Sequence, residues 1–136
     1  MAHDEIRIDW ADPGLKGLLD ALRVEIVGGR VRVPFELGAG VGPIHVAAIG
    51  WATVELDRAE RYVGAELGTT FNATARDALL GATVRRSKRS EPAILLLEPD
   101  TEGPLSGALA KHGEGPIALY LRVPTLEQLP ASLSIR

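Results

Sequence analysis

Apolar positions recur along this chain in two rhythms, every second residue and every third or fourth, and Gly and Pro cut the pattern into three blocks. In the first block, residues 5–37, EIRID alternates apolar and polar side chains as a half-buried strand does. Asp12-Pro13 then supplies an N-cap and a first-turn proline for a helix over LKGLLDALR. RVEIV and RVRVPFEL alternate on either side of Gly28-Gly29, which predicts a hairpin with a two-residue turn. Pro34 puts its second run at an edge or a bulge.

The connection GAGVGP leads to the second block, residues 44–98, which opens with the strand IHVAAIGWATV. VELDRAERYVGAELG places Leu56, Ala59, Tyr62, Val63 and Leu67 at helical spacing, with Gly68 as the stop. A weak strand near residues 69–72 and the runs LLGATVRR and PAILLLEP, around the polar turn RSKRSE, complete a β-α-β-β-β order. The third block, residues 99–136, is the connection TEGPLSGALAKHGEGP, the strand IALYLRV and the tail PTLEQLPASLSIR. Pro124 and Pro130 confine any helix in that tail to a turn or two.

Composition adds that these blocks form one domain: 136 residues, 46% hydrophobic and 24% charged, suffice for a single core. A net charge of −3 speaks against nucleic acid or an anionic membrane as partner, because both attract a basic surplus. There is no cysteine, hence no disulfide framework and no thiolate chemistry. The charged opening MAHDEIRIDW and the lack of any membrane-length apolar run lead us to expect a cytoplasmic protein.

The second block with the start of the third resembles the methylmalonyl-CoA epimerases of the vicinal oxygen chelate, or glyoxalase, superfamily. Two pieces carry the likeness: IHVAAI followed by a helix with an acidic start, and LLLEPDTEGPLSGALAKHGEG followed by a strand ending in LRV. They span about Ile44 to Val123. The resemblance implies an α+β, glyoxalase-like fold, in which paired βαβββ modules form a U-shaped half-barrel. It also implies a divalent metal in the cleft that polarises a substrate oxygen and makes a neighbouring proton acidic.

Carried over residue by residue, the family's four metal ligands are only partly present. His45 stands at the first position, but Leu95 and Ala118 stand at the second and third, and neither side chain has a donor atom. The fourth ligand lies in a late strand, and nothing after Val123 corresponds to it. The end of the first block, VRVPFELG, resembles that late strand and would put Glu36 in the ligand's place. A circular permutation accounts for this order, and a domain-swapped dimer accounts for it equally well. His45 and Glu36 are two ligands where a catalytic metal usually has about three, so a metal would need help from Glu98, His112 or a substrate. Glu98, an odd number of residues from Leu95, belongs to the opposite strand face and reads as a strand-end cap.

Each remaining candidate has a plainer structural reading beside the functional one. His45 alone reads more readily as a cleft or core histidine satisfied by a neighbour. Arg85, Arg86, Lys88 and Arg89 could receive phosphates, yet such a run is more often a solvated hairpin tip. GAGVG and GEG read as turns, since neither joins a strand to a helix as a phosphate loop does. Trp10, Trp51 and Tyr120 are candidate pocket walls; Trp51 is an even number of residues from His45 and would share its face on an unbulged strand. Asp77, Thr53 and Tyr62 form no legible constellation.

The expected function is therefore binding of a small organic molecule in the sheet cleft, with Trp51 and Tyr120 as ligand contacts and no cofactor unless a divalent metal binds His45 and Glu36. The alternative is an isomerase or lyase in which His45 and Glu36 transfer protons, with or without that metal. A homodimer is expected because members of the superfamily commonly dimerise.

Overall fold

A strand buried on both faces needs small side chains at its crowded points, and HVAAIGWA meets that need with Ala47, Ala48, Gly50 and Ala52, all buried. In the computed structural model, which describes residues 4–9, 16–29, 37–38, 45–78, 81–88, 92–123 and 134–135, this run is the inner strand β3 (His45–Ala52). It pairs in parallel with β6 (Ala93–Pro99) and antiparallel with β7 (Gly115–Val123). Beyond β6 lie β5 (Ala82–Arg86) and the edge strand β4 (Ala75–Asp77); beyond β7 lies the other edge, β1 (Asp4–Asp9). The sheet order is β1-β7-β3-β6-β5-β4. A separate two-stranded ladder joins β2 (Leu37–Gly38) to β8 (Ser134–Ile135).

A parallel pair requires a crossover, and α2 (Leu56–Leu67) supplies it between β3 and β6. Its expected inner face is present: Leu56, Ala59 and Val63 are buried, Leu67 is partly so, and Gly68 ends the helix at φ 63°. Tyr62 lies on the flank and is 43% exposed. The helix begins at Glu55, which makes no side-chain cap. Glu98, on the neighbouring strand β6, fills the role, its Oε2 accepting the Leu56 N–H at 2.9 Å. Glu98 thus lies on the opposite face from Leu95, as the alternation requires, and its carboxylate meets the positive end of the helix dipole.

The first block departs from the expected strand, helix and hairpin. RVEIV is not a strand: α1 runs unbroken from Lys16 to Val27 and takes in the whole segment. The physical reason is the spacing of what must be buried. Leu19, Leu22 and Ile26 lie on one helical face and are at most 1% exposed, whereas Val24, which alternation would bury beside Ile26, is 67% exposed. Gly28 and Gly29 close this helix, donating to Val24 O and Ile26 O at 3.0 Å each. The second half of the expected hairpin, Pro34 included, lies outside the described residues up to Leu37. Leu37–Gly38 itself pairs with β8 and not within the six-stranded sheet.

Two smaller departures lie in the second block. The weak strand at residues 69–72 reduces to one bridge, Phe71 with Ser87, and the ladder proper starts at Ala75. Arg85 is not at a solvated tip. It lies within β5, bonds Asp57 at 2.7 Å and Thr74 at 2.9 Å, and stands 3.5 Å from Glu60. Its hydrogen bond to the Asp57 carboxylate raises its pKa above the ordinary arginine value, so it remains a cation that ties α2 to the sheet.

Two apolar clusters fill the two sides of the sheet. On one, α1 and α2 pack Leu22, Ile26 and Val63 against Ile49, Ile94, Leu96 and Leu119. On the other, α3 (Pro104–His112) lays Leu105 and Leu109 over Ala52, Leu97 and Ala118. Among the described residues no helix is long and apolar enough to cross a membrane.

Two substitutions on α1 distinguish helix from strand. Ile26→Ala should cost about 2–5 kcal/mol in denaturant unfolding, and Val24→Ala less than about 0.5 kcal/mol. Similar losses at both positions would restore the strand reading, in which the two share a face. Glu98→Ala should cost about 1–2 kcal/mol by the same measurement, through loss of the charged cap on Leu56.

Candidate functional site

The register of three strands brings two of the expected ligand positions, Leu95 and Ala118, into one row. Gly50 on β3 is opposite Leu95 on β6 and opposite Ala118 on β7, so the three residues form one row across the sheet. The row is apolar and tight: a Cβ on Gly50 would meet Leu97 Cδ1 at 3.1 Å, Ala118 Cβ at 3.3 Å and Tyr120 Cε2 at 3.4 Å. Ala118 is fully buried, while Leu95 and Tyr120 are partly exposed along the same side.

His45 lies at the start of β3, its backbone paired with Arg122 on β7. Glu36 lies outside the described residues, as does Trp10. Block one approaches the sheet through β1, which runs antiparallel to β7 and is separated from β3 by that strand. Among the described residues, no group of three or more His, Asp or Glu side chains is arranged to hold a metal ion. Of the suggested helpers, Glu98 is committed to the Leu56 amide and His112 ends α3. With Leu and Ala at two of the family's four ligand positions, the described residues do not fit the family's metal.

Trp51 and Tyr120 are not brought together. Irregularities in the β3–β7 ladder between Val46 and Ala48 and between Gly50 and Trp51 break the two-residue alternation. The even spacing of His45 and Trp51 therefore does not carry a shared face. Trp51 packs with Ile49 and Val46 on the side of α1 and α2, and Tyr120 belongs to the cluster on the other side.

On the helical side, Trp51 is the floor of a cavity of about 340 Å³ between α1 and α2. Tyr62 stands 6.3 Å from it, ring centre to ring centre, with the planes inclined at 46°. Arg23 of α1 lies over the indole with its guanidinium carbon 5.8 Å from the ring centre, inside the range of a cation–π contact. Glu114, from the GEG turn, closes one side: one oxygen accepts from the buried Thr53 hydroxyl and the other from Arg58. Thr53 also accepts the Glu55 N–H at 3.1 Å, so the turn before β7 is fastened to the start of α2.

Sequence reasoning missed this second constellation. Its members come from four separate segments, and GEG was read as a turn only. One local signal lies in the sequence, Gly115 before Pro116; in the structure this glycine, at φ 144°, lies against the Arg23 guanidinium, which leaves no room for a Cβ. A glycine before Pro116 in a strand marks such a close approach.

No family model matches the chain, and no curated protein matches it. Solved structures do. A methylmalonyl-CoA epimerase in complex with methylmalonyl-CoA and NH4+ is 26% identical, with a TM-score of 0.50, over 56% of this chain and 59% of that one. A hypothetical protein of Bacillus halodurans C-125 is 23% identical, also with a TM-score of 0.50, over 56% of this chain and 57% of its own. A Streptomyces coelicolor methylmalonyl-CoA epimerase variant in complex with 2-nitronate-propionyl-CoA is 27% identical, with a TM-score of 0.48, over 54% of this chain and 57% of that one. The chain thus spans less than three fifths of the length of each of these structures. Over about half its length, the chain resembles methylmalonyl-CoA epimerase of the vicinal oxygen chelate superfamily, and its mixed α+β fold is glyoxalase-like.

Proposed function

We propose that this chain is a diverged glyoxalase-like protein that binds a small organic molecule on the α3 side of its sheet without the family metal, as a cytoplasmic homodimer. One observation carries the reading: the row Leu95, Gly50, Ala118 has aliphatic side chains at Leu95 and Ala118, the two positions where the resemblance calls for donors. Leu95 and Tyr120 give that row a partly exposed apolar margin, the kind of surface that holds an organic ligand by shape and burial. A methylmalonyl-CoA epimerase of related fold carries methylmalonyl-CoA, which makes acyl thioesters the first ligands to test here. The alternative, proton transfer by His45 and Glu36, is supported by the position of His45 on the same strand as Gly50.

Calorimetry separates these readings. Wild-type protein should take up no stoichiometric Co(II) or Mn(II). If the row corresponds to the family's ligand positions, Leu95→Gln combined with Ala118→His should create Co(II) binding that His45→Ala removes. Stoichiometric Co(II) uptake by wild type would overturn the metal-free reading. Methylmalonyl-CoA incubated with the protein in D2O should gain no deuterium at C2 above the buffer rate. Exchange that depends on His45 would replace the binding reading with the isomerase one.

A further inference from the structure

We propose that the cavity between α1 and α2 is a second binding site, on the face of the sheet away from the Leu95–Gly50–Ala118 row, and that its ligand is a small aromatic carboxylate. This inference stands apart from the reading of the α3 side and does not need it.

The charges decide the sign of the ligand. Two guanidinium groups, Arg23 and Arg58, and one carboxylate, Glu114, line the cavity. Glu114 is already engaged twice, by Arg58 and by the Thr53 hydroxyl. Among the described residues Arg23 pairs with no carboxylate; its described contacts are the Trp51 ring and the backbone at Gly115. The lining therefore carries one cation in excess, on a partly buried group whose planar fork suits two parallel hydrogen bonds to a carboxylate.

The walls decide the rest. Trp51, only 4% exposed, closes the floor, the flank of Tyr62 presents π surface, and Val27 adds an aliphatic edge. At 6.3 Å and 46° the two rings are too close and too inclined to admit a third between them. An aromatic ligand would lie against the exposed side of Tyr62 with its carboxylate toward Arg23. About 340 Å³ is at the small end of ligand pockets and suits one or two fused rings, not a nucleotide or a thioester cofactor. The site is also held in place before any ligand arrives. Arg23 lies over Trp51 and is seated against Gly115, while Glu114 ties Arg58 to Thr53, so part of the side-chain freedom is already lost before binding.

The probe is 2-naphthoate, with 2-naphthol as its neutral analogue at pH 7, followed by the indole N–H signal of Trp51 in two-dimensional NMR and by calorimetry. 2-Naphthoate should shift that signal saturably, and 2-naphthol should bind at least about tenfold more weakly. Arg23→Gln should weaken 2-naphthoate by about tenfold or more while leaving 2-naphthol unchanged. Tyr62→Ala, at a largely exposed position, should weaken both probes and provides a second variant if Arg23→Gln does not fold. No saturable shift at low millimolar 2-naphthoate would overturn the proposal, as would equal affinity for the two probes, or an Arg23→Gln variant that binds 2-naphthoate as wild type does.

Discussion

The structure turns on one missing side chain. At Gly50 of β3 the side chains of Leu97, Ala118 and Tyr120 from β6 and β7 come together closely enough that a single added methyl group would crowd all three. That closeness lets β3 be inner to a sheet whose two faces both carry helices: small residues on the strand, larger ones on its neighbours and on the helices above and below. Packing at native density leaves no slack at such a point, so the identity of the residues beside it is constrained as a set. Ala118 belongs to that set, and Leu95 stands opposite Gly50 in the strand register; both are aliphatic.

The sheet separates two chemistries. One side has the apolar row and Tyr120, with α3 covering its far end. The other has an aromatic floor, a cation over it and the Thr53–Glu114–Arg58 chain of hydrogen bonds. Both sides draw on the same three-strand junction, since Trp51 follows Gly50 directly and Gly115 opens the strand that carries Ala118. A rearrangement of one face would therefore be felt at the other through backbone register, without any side chain in common.

The legible parts of this fold were those whose pattern is local. Helix α2 could be read because its apolar residues recur at helical spacing and Gly68 ends it; β3, β5, β6 and β7 could be read because each is a short apolar run between breakers. The second half of α1 could not, because R-V-E-I-V satisfies both periods and only the tertiary burial of Ile26, with Val24 left in solvent, selects the helix. The face taken by Trp51 was illegible for a different reason: the ladder irregularities in β3 depend on its partner strand, and one of them changes the parity on which the inference rested. On the side of the candidate site, the resemblance located Leu95 and Ala118, and register then placed them in one row. The Arg23 cavity had no such guide, since the residues that meet there are up to about ninety positions apart and no motif links them.

The start of α2 has a bearing on how the chain assembles. Three residues separate β3 from this helix, yet the carboxylate that caps it arrives from Glu98, 42 positions beyond Leu56. A crossover helix that supplied its own N-cap could form its first turn as soon as its segment was available. Here the Leu56 N–H gains its carboxylate acceptor only when β6 lies in parallel beside β3, a non-local pairing that costs loop-closure entropy. The cap thus couples the start of the helix to strand pairing, and links a local element of the module to a distant one.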